Sequence, residues 1–290
     1  MSKTVYLIHG MWGTGAYWSN YQRFLEAEGY RCIATTLPYH DQAPAAEPDA
    51  NLGTASLLDY ASALEREIER LDEKPILMGH SMGGLLAQML GARGLARALV
   101  LLTPASPAGI LALTPSVVRS FWSVQTRWRF WQRPMRQTFN EAVYSMLHRV
   151  PPAERRDIYA RFVHESGRAA CEIGYWFLDP HRASSVDESK ITCPVLVVAA
   201  AEDRIVPASV VRQVAHKYRA VATYREFARH AHWVVGEPGW EEIAGYAARW
   251  LKQALGTHPK SGYPSVPHPA SNRLSKGVTE RRFTSPAARV

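Results

Sequence analysis

Cysteine is scarce in this chain. Three of them, Cys32, Cys171 and Cys193, are spread through 290 residues. An odd number at such spacing offers no disulfide framework, and none sits in a paired pattern of the metal-binding kind. Free thiols in a reducing cytoplasm are therefore expected, with no metal. Long apolar runs are missing as well: nothing approaches the ~20 residues that a membrane span requires. The first residues, Met1-Ser2-Lys3-Thr4, pass directly into the apolar run Val5 to Ile8. The charged start, apolar stretch and small-residue cleavage site of a secretory leader are not there. A cytoplasmic protein without stable membrane insertion is the expectation. Internal repeats are absent too, which excludes a solenoid.

Acidic residues are in the minority, leaving a net charge of +8, but the excess is unevenly placed. Residues 257–290 hold six Lys or Arg against Glu280 alone, together with five prolines and many Ser and Gly. Such composition cannot build a core, and a disordered basic tail is expected there. The remaining 256 residues carry little net charge, so nucleic acid is not an expected partner.

What is present is an ordered series of strand and helix signals. Val5 to Ile8, Arg31 to Thr36, Pro75 to Met78, Ala98 to Leu102, Val195 to Ala199 and Thr223 to Phe227 read as strands. Helical spacing fills Ala16 to Glu28, closed by Gly29, and the stripe Leu57, Leu58, Ala61, Leu64, Ile68 and Leu71. A last helix runs from Pro238-Gly239 to about Leu255. This alternation demands an α/β fold with a mostly parallel, about six-stranded, doubly wound sheet, its ligands at the carboxyl ends of the strands. One connection is too long. Residues 113–189 hold many aromatics and much helical character, and read as a helical cap inserted between core segments 1–112 and 190–256.

Gly79-His80-Ser81-Met82-Gly83 lies between a strand and a helix. Such spacing alone recurs by chance in about one chain in ten of this length. At a strand-to-helix turn, however, it forms a strained elbow that projects the serine hydroxyl, with small residues where side chains would collide. A serine nucleophile needs a base, and the base an orienting acid. The loop after Val195 to Ala199 offers Glu202 and Asp203, of which Asp203 is favoured because it precedes the turn into Ile205-Val206-Pro207. The loop after the last strand offers His230 and His232. His232 is favoured because the apolar Trp233-Val234-Val235 anchors it, which leaves His230 supporting or solvent-facing. His80 reads as a packing residue. The oxyanion needs backbone N–H donors: Met82 follows the nucleophile, and Met11 follows His9-Gly10. Trp12, Trp122, Trp176 and Trp233 are candidate pocket residues.

These motifs, His9-Gly10-Met11-Trp12, Gly79 to Gly84, the Asp203 loop and Ala231-His232-Trp233, resemble those of the α/β-hydrolase superfamily over about residues 3 to 255. The segment Gly10-Met11-Trp12-Gly13 with Trp18 is similar to the carboxylesterase, methylesterase and hydroxynitrile-lyase branch. The resemblance implies a cofactor-free serine hydrolase acting on a small-to-medium apolar ester. The same residues could instead serve C–C bond, lactone or thioester hydrolysis or cyanohydrin lysis, or a binding protein that turns over slowly. Two departures are expected from the family's pattern: a first strand that corresponds to the family's third, without the two leading antiparallel strands, and Ala231 in place of the usual glycine before the histidine.

Overall fold

The structure, a computed structural model, describes residues 3–256; the tail expected at 257–290 lies outside them. Six strands form one sheet: β1 (Thr4–Ile8), β2 (Arg31–Ala34), β3 (Ile76–His80), β4 (Ala98–Leu102), β7 (Val195–Ala200) and β8 (Ala222–Phe227). Their order is β2-β1-β3-β4-β7-β8, and every neighbouring pair is parallel. The three strands β3, β4 and β7 are buried at every position. Each is a continuous apolar run rather than an alternating one, as a strand covered on both faces must be.

Coverage comes from the helices. The chain steps from β1 outward to β2 through α1 (Ser19–Ala27), then returns past β1 to β3 through α2 (Leu57–Ile68). It continues in that direction through α3 (Met82–Ala92) and α9 (Ala208–Lys217) and ends with α10 (Trp240–Leu255). Right-handed crossovers place α1 on one face and α2, α3 and α9 on the other, and the terminal α10 lies with α1. Contacts agree: α1 packs on α10, α2 packs on α3, and Tyr218 after α9 donates to Gln88 of α3 at 2.8 Å. The reversal between β1 and β3 opens a crevice at their carboxyl ends, where such sheets bind ligands. The loops carrying Met11 and Ser81 leave the sheet there.

α2 illustrates how the sequence fixes an element. Ser56 accepts from the Leu58 amide, and Asp59 accepts from the Ser56 amide, a reciprocal cap. Its buried residues Leu57, Tyr60, Ala61, Leu64 and Ile68 follow helical spacing. Each large apolar side chain so buried contributes about 2 kcal/mol relative to exposure. Gly29 ends the turn after α1 at φ +85°, the left-handed conformation that glycine tolerates best.

The 92 residues between β4 and β7 are less regular than a purely helical reading suggests. They contain α4 (Pro115–Ser120), α5 (Trp122–Gln125), α6 (Phe139–Ser145), α7 (Arg155–Ala160) and α8 (Gly167–Gly174). A two-stranded antiparallel ladder, β5 (Pro134–Met135) with β6 (Glu165–Ser166), joins them. Strands of two residues have no periodicity to read, which is why the sequence pattern does not reveal them. Polar ties bind this insert to the core. Glu172 of α8 accepts from Ser56 Oγ and the Leu57 amide, both at 2.8 Å, at the start of α2. Glu165 accepts from Tyr60 Oη at 2.9 Å and pairs with His40 Nε2 at 3.0 Å. No helix among the described residues is long and apolar enough to cross a membrane. The three cysteines are free and partly buried.

Candidate active site

The turn from β3 to α3 carries Ser81 at φ +54°, ψ −120°, a region that non-glycine residues occupy at a cost of about 1–3 kcal/mol. Neighbours hold it there. The Ser81 amide donates to the Leu102 carbonyl at 3.0 Å, and its own carbonyl accepts from the amides of Gly84 and Ala105, each at 2.9 Å. The close fit explains the glycines. A Cβ at Gly79 would lie 2.2 Å from the Gly83 carbonyl oxygen, and one at Gly83 would lie 2.2 Å from that of Ile8.

Two backbone donors flank the serine. Met82 is the first residue of α3, where amides lack intrahelical acceptors. Met11 lies in the loop after β1. Neither amide has a hydrogen-bond acceptor among the described residues, and both residues line one cavity with Ser81. His9 shapes the Met11 loop: its Nε2 accepts from the Leu37 amide at 3.0 Å, so its proton resides on Nδ1 and is donated to the Gly10 carbonyl at 2.8 Å. Burial pushes the His9 imidazole down to about 3, helped by nearby His40, so it stays neutral.

Asp203 and His232 come together at the ends of β7 and β8. His232 Nδ1 lies 2.7 Å from Asp203 Oδ2. The other carboxylate oxygen accepts from the Ile205 and Val206 amides, both at 2.8 Å, which fixes the carboxylate plane. Glu202, the alternative acid, is partly exposed and faces Arg149 at 3.7 Å. His80 is more than packing: its Nε2 donates to the His232 carbonyl at 2.8 Å, and the two rings stand 4.9 Å apart. Burial, then the neighbouring His232, pushes His80 down to about 3. Ser81 Oγ makes no hydrogen bond to His232 or to any other group among the described residues. Such bonds are often long before substrate binds.

Of the two readings of His230, supporting or solvent-facing, the structure shows the first. The side chain is buried, with Nδ1 2.9 Å from Glu237 Oε1, which also accepts from the Ala231 amide at 2.8 Å. Glu237, fully buried, thus braces the histidine loop where Ala231 stands. Sequence reasoning missed it because a glutamate before Pro-Gly reads as a surface turn.

The cavity over Ser81 has a volume of about 80 Å³, and its walls are mostly apolar, with Phe121, Val124, Phe130 and Tyr175 from the insert and Ile205 and Val206 from the core. None of the four candidate tryptophans is among its lining residues. Trp122 is 61% exposed, whereas Trp12 is buried and stacked on Phe162 at 6.5 Å. Trp233 packs against Tyr17 and Phe162, and Trp176 against Phe177. In short, irregular helices an aromatic's number does not say which way it faces. Among the described residues, no group of three His, Cys, Asp or Glu could hold a metal ion.

Comparison with known proteins agrees with this architecture. Solved structures of similar fold include a monoacylglycerol lipase of Paleococcus ferrophilus, at 24% identity and TM-score 0.65, covering 87% of this chain and 94% of that one. A pyrethroid hydrolase from Sphingobium faniae aligns at 19% identity and TM-score 0.65, covering 88% and 99%. A methylesterase from Arabidopsis aligns at 12% identity and TM-score 0.63, covering 86% and 99%. No curated protein matches in sequence. The sequence profile of the alpha/beta hydrolase family matches residues 5–245, and with a sheet and an elbow of this form the chain belongs to that family.

Proposed function

We infer that the protein is a serine hydrolase of apolar carboxylic esters, with Ser81, His232 and Asp203 as its catalytic residues. What supports this reading is a strained serine and two unclaimed amides on one cavity, beside a carboxylate-bound imidazole whose ring lies 4.9 Å from that of His80, the residue before the serine. Ser81 Oγ attacks the ester carbonyl while His232 Nε2 takes its proton. Asp203 holds Nδ1–H and stabilises the imidazolium without itself becoming protonated. The Met11 and Met82 amides receive the oxyanion, each contributing about 10²–10³ in rate. His232 then returns the proton to the departing alkoxide, leaving an acyl group on Ser81. Water attacks that acyl group with His232 again as base, and the acid leaves.

The cavity of about 80 Å³ is small beside the roughly 300–1,000 Å³ of drug-sized sites, and its apolar walls favour a short, uncharged acyl group. The role of residues 113–189 as a cap fits the insert's contribution to those walls. Turnover of short p-nitrophenyl esters and labelling by a fluorophosphonate are expected, with Ser81→Ala lowering kcat about 10⁴-fold or more. A Ser81→Ala protein that hydrolyses and labels like wild type overturns the reading. Lactone and thioester substrates in the same panel separate ester cleavage from other reactions on the same residues.

A further inference from the structure

The insert turns two different faces to its surroundings. Phe130 and Tyr175, ring centroids 6.3 Å apart, line the cavity over Ser81. Their ring neighbours point the other way. Trp131 lies 5.6 Å from Phe130 and 6.4 Å from Trp128, and Phe177 lies 6.4 Å from Tyr175. Trp128 is 78% exposed, Leu178 70%, and Trp131 and Phe177 are also open to solvent. Arg129 adopts φ +57°, and this tight turn places Trp128 and Trp131 in contact on the outside. Large rings held in water by neighbouring rings, rather than folded onto the core, form the kind of patch that marks an interaction surface.

Charge identifies the occupant. Arg127, Arg129 and Arg133 alternate with these tryptophans, are exposed, and make no ion pair among the described residues. No aspartate or glutamate occurs between Glu73 and Glu141 in the sequence. Glu141 itself is engaged, accepting from the Thr138 and Ser123 amides. Asp179, beyond Phe177 and Leu178, accepts from the His181 and Ala183 amides. Tryptophan, with an apolar body and a polar N–H, settles at the boundary of headgroup and acyl chain, and arginine is drawn to anionic headgroups. We propose that this Trp/Arg surface of the insert docks the protein peripherally on an anionic lipid bilayer, lying on the interface without spanning it. An apolar molecule leaving the bilayer would then meet the wall formed by Phe130 and Tyr175. The docking itself does not rest on the reading of Ser81.

Full-length protein is sedimented with vesicles of phosphatidylcholine, with and without phosphatidylglycerol. Binding is expected to the anionic vesicles, weakening as salt rises, and a Ser81→Ala protein binds equally well. R127Q/R129Q/R133Q is expected to lower the partition coefficient about 100-fold, and W128S/W131S about tenfold or more. These side chains are exposed, and unchanged thermal unfolding verifies that both variants fold. Three results overturn the proposal: equal binding to neutral and anionic vesicles, wild-type binding by both variants (the basic residues 257–290 then being the anchor), or patch-dependent binding of single-stranded RNA without binding of vesicles.

Discussion

Ser81 holds a backbone conformation that its own side chain does not favour, and the means are visible one residue at a time. Gly79 and Gly83 leave room for carbonyls 2.2 Å from where a Cβ would stand, so Gly79→Ala or Gly83→Ala is expected to cost about 3 kcal/mol, read as a lowered denaturation midpoint. His9 and His80 contribute a pH dependence on the acid side. Both are held at about 3 against 6.5 when unfolded. Below pH 6.5 the unfolded chain takes up protons that the folded chain refuses. The stability these two give is complete above pH 6.5 and is lost as pH falls from there toward 3, at about 1.4 kcal/mol per pH unit per histidine. His80→Gln keeps a donor for the His232 carbonyl and removes one proton, so chemical denaturation across acid pH should show one such increment less. An unchanged slope means that His80 is charged in the folded protein. Ser81 and Asp203 were legible because turn chemistry surrounds them. The bond from His80 to a carbonyl 152 residues away was not, because no local pattern encodes a partner across the sheet.

At the scale of elements, the insert is held both by apolar packing, with Phe130, Met135, Leu147 and Phe162 in the common core, and by buried carboxylates that tie it to the sheet domain. Glu172 serves two elements at once, closing the first turn of α2 from outside. Ser56→Ala removes both its own cap and a donor to Glu172, and a loss of about 1–2 kcal/mol is expected, a Tm shift of about 2–4 °C for a chain of this size. His40 tests the second tie. Burial alone would push its imidazole down, but the charge and hydrogen bond of Glu165 outweigh burial and hold it above its usual value. That stabilisation is full below pH 6.5 and fades as pH rises through the raised value. Glu165→Gln should cost about 3 kcal/mol at pH 6 and abolish the decline on the alkaline side, as thermal unfolding across pH will show. Long regular elements were legible from periodicity and caps. The β5–β6 ladder was not, since its two-residue strands are specified by Glu165 and its distant partners. α9, absent from the sequence reading, carries Val210, Val211 and Val214 at helical spacing, but β-branched residues obscure a helix in a short window.

For the whole molecule, the doubly wound order places the reversal of the sheet between β1 and β3, so both proposed oxyanion donors leave the sheet beside one crevice. That much followed from strand order alone. The pocket wall did not, because it is assembled from insert segments that carry no fixed orientation in sequence. Its volume invites a direct test. Tyr175→Ala or Phe130→Ala widens the cavity, and kcat/KM for longer p-nitrophenyl esters is expected to rise at least tenfold relative to acetate; an unaltered chain-length profile places the acyl group elsewhere. The loop bearing Met11 is also stitched to the insert, for the carbonyl of Trp12 accepts from the Val163 amide at 3.0 Å. That amide is a native reporter. It trades its proton for deuterium only while the insert stands off the loop, so its exchange rate, followed by NMR without any attached dye, clocks how often the roof over the serine lifts.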